Sequence, residues 1–190
     1  MRKLETFIEY LTGEFDNRKQ VERKKQQDGK DEEDYPFARH VSHVCNESIE
    51  NLPDGFDGYF LLEESYYTTN KGTNALPHLF LFTEEDGRVK LTSYEMPEGF
   101  TKETFAYENL KGPMDYQKLK VSETFTPVFY EERNGAFRGS SVSMFSPALK
   151  FSLSEEIRSE VMLVSEIFEV NGKRTFGYDE PIEYRRCKEQ

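Results

Sequence analysis

Three dipeptides constrain this chain more than any other feature. Asp86-Gly87 separates LFLFTEE from RVKLTSYEM, Asn134-Gly135 separates PVFYEER from AFRGSSV, and Asn171-Gly172 separates EVMLVSEIFEV from KRTFGY. Each lies between two runs rich in β-branched and aromatic residues. Asp-Gly and Asn-Gly accept the positive φ angles of the tight turn that matches the twist of two paired strands. Three such hairpins in 190 residues predict an antiparallel sheet with strands adjacent in sequence.

The side-chain alternation agrees. In Arg88–Tyr94, Val89, Leu91 and Ser93 fall on one face, and Arg88, Lys90, Thr92 and Tyr94 on the other. In Phe37–Cys45 the faces are Phe37, Arg39, Val41 and His43 against Ala38, His40, Ser42 and Val44. Neither of the latter is wholly apolar, which suits a barrel with a partly polar interior. About eight to ten strands are expected from Pro36 onward. A sheet of that size closes to remove its exposed edges. The expected fold is mainly β: a calyx-like antiparallel barrel of lipocalin-like shape, wide enough for one small ligand. A solid, side-chain-filled interior would instead favour an interaction module.

Leu4, Phe7, Ile8 and Leu11 carry the spacing of an amphipathic helix, with Gly13 as its stop. This predicts an N-terminal helix packed on the barrel. Arg18–Asp34 is polar and reads as a solvated second helix followed, from Gly29, by an exposed acidic loop. Thr101–Lys120 is irregular and reads as a loop with a helical turn. No repeat appears, and residues 1–190 are expected to form one domain.

The net charge of −11 argues against nucleic acid and against an anionic membrane surface. No apolar run reaches the length of a membrane helix, and the N-terminal segment, with a glutamate where a signal peptide needs an apolar core, is not expected to be a signal sequence. Cys45 and Cys187 lack metal-ligand spacing and read as two free thiols in a reducing cytoplasm. His40 and His43 point to opposite faces of a strand, so a shared metal is not expected.

The candidate chemistry lies in Tyr59–Tyr67 (YFLLEESYY), an aromatic strand with two adjacent carboxylates. If both of its faces are covered, one glutamate enters an apolar interior, where an unpaired carboxylate is costly. Alternation leaves open which one. Glu63 shares its face with Tyr67, and Glu64 shares its face with Tyr66. His78 interrupts the apolar strand that follows. Arg39 and Arg138 are candidate cations for a ligand.

Several segments resemble, in order, the CpeT/CpcT (T-type) phycobiliprotein chromophore lyases. Gly13, Phe15, Asn17 and Gln20 match the family's G-x-F-x-N-x-x-Q opening. Phe37-Ala38 and its strand resemble Y-A-H-I. Phe60–Tyr66 resembles F-x-V-E-Q-x-Y, Phe137-Arg138-Gly139 resembles F-x-G, and Ser165–Val170 resembles the late S-E-x-x-I. The resemblance implies a calyx-like barrel that binds a linear tetrapyrrole, a phycocyanobilin- or phycoerythrobilin-like bilin. It further implies transfer of that bilin to a cysteine of a phycobiliprotein subunit. Glu63 and Tyr66 then take the catalytic positions, and Glu64, Tyr67, His78, Arg39 and Arg138 are the ligand-binding candidates. Neither a metal nor a covalently held cofactor is implied. Expected partners are the phycobiliprotein subunit, the tetrapyrrole or another apolar ligand, and a second copy in a homodimer. On the strand after the glutamate, the family's Y-R-x-R is replaced by Pro77-His78-Leu79-Phe80. That departure keeps a second function in view: a calycin-like carrier without transfer chemistry.

Overall fold

The computed structural model describes residues 2–28, 35–110 and 112–188. In chain order the elements are α1 (Lys3–Leu11), β1 (Gly13–Asp16), α2 (Arg18–Asp28), β2 (Phe37–Val44), β3 (Ile49–Glu50), β4 (Gly58–Thr69), β5 (Gly72–Glu85), β6 (Arg88–Tyr94), β7 (Met114–Asp115), β8 (Val128–Arg133), β9 (Ala136–Met144), β10 (Leu149–Ile157), β11 (Val161–Val170), β12 (Lys173–Phe176) and β13 (Ile182–Arg186). Strands β10-β9-β8-β6-β5-β4-β2-β1-β13-β11 form a continuous antiparallel sheet, and β11 pairs back with β10 to close a ten-stranded barrel. Strand β12 folds back on β11 outside the ring, and β3 and β7 make a separate parallel pair.

The three expected hairpin turns join β5 to β6, β8 to β9 and β11 to β12. Both residues of each have positive φ: 51° and 71° at Asp86-Gly87, 54° and 71° at Asn134-Gly135, 49° and 77° at Asn171-Gly172. That is the backbone of a tight hairpin turn, which Asp-Gly and Asn-Gly adopt readily.

Helix α1 closes one end of the barrel. Leu4, Phe7, Ile8 and Leu11 are all buried. The Phe7 ring packs on Phe82, Tyr130 and Phe137, with centroids 5.2, 4.8 and 5.1 Å away. Carbonyls in the last turn of a helix have no partner within it. Arg186 of β13 supplies one, donating to Thr12 O at 2.7 Å and Tyr10 O at 2.9 Å while lying 4.5 Å over the Phe15 ring. Gly13 has a φ of 111°, and a Cβ there would stand 2.8 Å from the Arg186 guanidinium.

Helix α2 forms where the polar run predicted one, but it is not solvated all round. Gln20 is buried, donating to Pro181 O and accepting from Glu183 N, each at 2.9 Å. Just before it, Asn17 donates to Pro36 O at 3.0 Å and accepts from Ala38 N at 2.8 Å. Two amides thus satisfy backbone groups of β2 and β13 that the ladder leaves open. Gly13, Phe15, Asn17 and Gln20 all serve the joint between the helices and the barrel. The loop expected over Gly29–Asp34 lies outside the described residues.

A second apolar cluster sits on the outer wall. Phe60, Leu62, Leu79 and Leu81 point outward from β4 and β5 and are covered by Cys45, Ile49, Phe105 and Met114. Cys45 and Ile49 come from the connection between β2 and β4; the segment after β6 that supplies Phe105 and Met114 is irregular, with short helical turns at Tyr107–Asn109 and Tyr116–Lys118. Strand β4 is therefore apolar on both faces because both are covered. Both cysteines are free thiols. Among the described residues, no helix is long and apolar enough to cross a membrane.

Candidate functional site

The barrel is not solid. Beyond α1 it holds a cavity of about 780 Å³, within the range of small-molecule sites. Leu11 lies at its base. Phe80, Phe125, Phe151 and Phe168 line the wall, and Asn74, Met96 and Phe176 line it toward the opposite end.

The register of β4 decides between the two glutamates. Its pairing with β2 runs without a slip from Phe37↔Thr68 to Val44↔Leu61. Alternation then holds throughout, and no bulge brings Tyr66 onto the face of Glu63. Glu63, Tyr67 and His78 line the cavity, with Glu63 opposite His78 on β5. Tyr66 and Glu64 share the outer face, where Tyr66 donates to Glu64 at 2.6 Å and the backbone N–H of Tyr107 donates to Glu64 at 3.2 Å. Arg39 is also outside, bonded to Glu14 at 2.6 and 3.0 Å. Arg138 pairs with Glu156 on the outer wall at 2.7 Å. Three of the seven sequence candidates thus meet in the cavity, and Tyr66, Glu64, Arg39 and Arg138 do not join them.

Two carboxylates that sequence reasoning did not single out join Glu63. Glu155 of β10 and Glu166 of β11 line the same cavity. Tyr130 donates to Glu155, and Tyr67 donates to Glu166 at 3.1 Å. Ser65 donates to Glu63 at 3.3 Å, and the Nδ1 of His40 lies 3.5 Å from the same oxygen. The His40 ring stands edge-on to Tyr184 at 4.3 Å, and its Nε2 has no hydrogen-bond partner. A signal for the missed pair existed. Phe151, Leu153, Glu155 and Ile157 alternate along one strand, as do Met162, Val164, Glu166 and Phe168 along the next. Each glutamate occupies an inward apolar position.

Burial dominates the electrostatics. It pushes Glu63 up to about 8, helped by the charges of Glu155 and Glu166. It pushes Glu155 up to about 7 against the pull of the Tyr130 hydrogen bond. It raises Glu166 against that of Tyr67. The same desolvation pushes the histidines the other way, His40 down to about 3 and His78 down to about 4, so both are neutral at pH 7. Among the described residues lining the cavity there is no lysine or arginine. Lys102 reaches Asn74 of the lining at 2.8 Å. His40 faces the cavity and His43 faces outward, stacked on Tyr107 at 4.1 Å. No group of three metal-ligating side chains occurs among the described residues.

The chemistry available is therefore acceptor-rich and proton-bearing: carboxylates to receive N–H groups, protonated carboxyls to donate, and aromatic faces for a conjugated body. Neither a protein-family model nor a curated protein matches the chain.

Proposed function

We propose that the barrel binds one elongated conjugated ligand bearing N–H donors, of the linear tetrapyrrole class, and presents it to a cysteine of a partner protein. The observation that carries this reading is the convergence of Glu63, Glu155 and Glu166 in an aromatic cavity. Pyrrole N–H groups are donors a carboxylate can hold in a row. A neighbouring protonated carboxyl can donate to a terminal lactam oxygen. The phenylalanine rings cover the flat conjugated chain, and Lys102 near the lining offers a partner for a propionate. Holding the chain in one conformation would orient its reactive vinyl-type group and shield it from side reactions. The thiol would belong to the partner. Cys45 is buried on the outer wall with its thiol pushed up to about 12, and desolvation pushes Cys187 up to about 11. Neither is a ready nucleophile. The resemblance to the T-type lyases supports the same ligand class.

Titration with phycocyanobilin tests the reading. A red-shifted, sharpened absorption band is expected, lost in Glu63→Gln and kept in Glu64→Gln. An unchanged spectrum at saturating bilin sinks it. A second reading, a carrier without transfer, draws on one observation: His78 rather than an arginine stands opposite Glu63. The two separate on addition of an apo-phycobiliprotein subunit. Colour that survives denaturation on the subunit supports transfer, and colour retained only by the barrel supports the carrier.

A further inference from the structure

The polar atoms at the cavity base do not balance. Each carboxylate offers about four acceptor sites. Three of them, once ionised, would present about twelve, against hydroxyl donors from Ser65, Tyr67 and Tyr130 and the unpartnered hydroxyl of Tyr184. Among the described residues no lysine or arginine lines the cavity beside them; Lys102 reaches only Asn74 of its lining, and Arg138 is held by Glu156 on the outer wall. The inward side of β2 brings His40, and that of β5 brings His78, both neutral. The remaining titratable groups facing the cluster from β8 and β13 are the phenols Tyr130 and Tyr184, which burial keeps protonated. Beyond these, Tyr94, Glu95 and Tyr178 line the cavity. Independently of the carboxylates, His40 is 6% exposed and lines the cavity with an unpartnered Nε2. The interior is thus short of hydrogen-bond partners and of positive charge.

We propose that the group seated at the base of the barrel is a cation — a protonated amine, amidine or pyrrolic nitrogen — whose arrival expels a proton from the glutamate cluster. The inference rests on the reading of the cavity as a ligand site, and it adds the ligand's charge and a linked proton. In the empty barrel, protons neutralise the carboxylates. On binding, a carboxyl O–H bond breaks and its proton leaves to bulk water. The carboxylate then accepts the ligand's N–H in its place. A neutral donor would satisfy acceptors without changing their charge, and an anion would face carboxylates with no counter-ion. One proton released makes affinity rise about tenfold per pH unit while the cluster is still protonated in the free protein. With Glu63 near 8 and Glu155 near 7, that window is roughly pH 6 to 8.

Decylammonium, decanol and decanoate share one chain length and differ in head-group charge. Calorimetric titration of the intact chain with each, at pH 6, 7 and 8, tests the proposal. Decylammonium is expected to bind at least tenfold tighter than decanoate, and to gain about five- to tenfold in affinity per pH unit. About one proton should be released, read from two buffers of different ionisation heat. Glu63→Gln should flatten the pH dependence. Decanoate binding as tightly as decylammonium, or decylammonium binding without proton release, overturns the proposal using the unaltered protein alone. Decylammonium binding with proton release beside an unchanged phycocyanobilin spectrum removes the tetrapyrrole and leaves the cation site. A phycocyanobilin shift with no preference for decylammonium does the reverse.

Discussion

Replacing Glu63 by glutamine should make the protein more stable, with a gain that opens above about pH 4.5 and grows toward neutral pH. In the folded chain Glu63 titrates near 8, against an ordinary 4.5. Between those values the folded state holds a proton that the unfolded state has released, so stability falls as pH rises. The deficit grows at about 1.4 kcal/mol per pH unit. It is close to zero at pH 4 and on the order of 3 kcal/mol at pH 7. Glutamine keeps the shape and removes the titration. The variant should therefore gain about 2–3 kcal/mol at pH 7, allowing for its coupling to Glu155, and almost nothing at pH 4. The histidines act in the opposite sense. His40 and His78 are held neutral, down to about 3 and about 4, while the unfolded chain takes up protons near 6.5. They make stability rise with pH up to about 6.5 and then drop out. Above that, the half-buried cavity glutamates titrate, and Glu63 alone should remove roughly 1.5 kcal/mol between pH 6.5 and 8. The chain has no tryptophan, so urea unfolding is followed by far-ultraviolet circular dichroism and tyrosine fluorescence at pH 4, 5.5, 7 and 8. Parent stability that rises from pH 6.5 to 8 would refute the reasoning. So would a Glu63→Gln gain of equal size at pH 4 and pH 7.

Gly139→Ala should destabilise the fold by about 1–3 kcal/mol, since the added Cβ would lie 2.7 Å from both the Tyr130 ring and Val128; a melting temperature equal to the parent's would show that the wall yields. Asn17→Ala should cost about 2–4 kcal/mol by stranding Ala38 N–H and Pro36 C=O, checked by urea denaturation. Tyr66→Phe and Arg138→Ala should leave binding of decylammonium and phycocyanobilin within about twofold of the parent, because both side chains lie on the outer wall; a tenfold loss in either would relocate the site.

Local chemistry made the architecture legible. The α1 face, the three turns and the alternation of β2 and β6 each depend on residues within a few positions of one another. The site needed more. In Tyr59–Tyr67, adjacent glutamates hide the inward one, because β4 is apolar on both faces. Much of its outer cover comes from the irregular segment after β6, which carries no periodic signal. Glu155 sits beside Glu156, which pairs with Arg138 and Arg158 on the outside. A Glu-Glu pair on a strand reads as solvated, and only barrel closure by β10 and β11 turns one member inward. Tyr130 and Tyr184 meet the cluster from strands far apart in sequence. Motif matching had a different limit. Of the resemblance's opening residues, Gly13, Phe15, Asn17 and Gln20 hold the helices to the barrel, so they speak to the fold and leave the ligand unspecified.

The ligand's charge follows from what the wall withholds. On the strand beside Glu63, the lyase pattern would set arginines; here the position facing it is His78, a cavity-lining ring that is neutral at pH 7. Desolvated carboxylates without a cation are a standing loss of stability. Linkage shows where that free energy can return. A ligand that binds only the folded state and restores the ionised form of Glu63 regains the deficit that glutamine would simply delete. About 3 kcal/mol at pH 7 corresponds to roughly a hundredfold in dissociation constant. The Glu63→Gln variant, the more stable form of this barrel at pH 7, should therefore be among its weakest binders. A correlation of the opposite sign across glutamine substitutions at Glu63, Glu155 and Glu166 would break the link between the cavity's instability and its use.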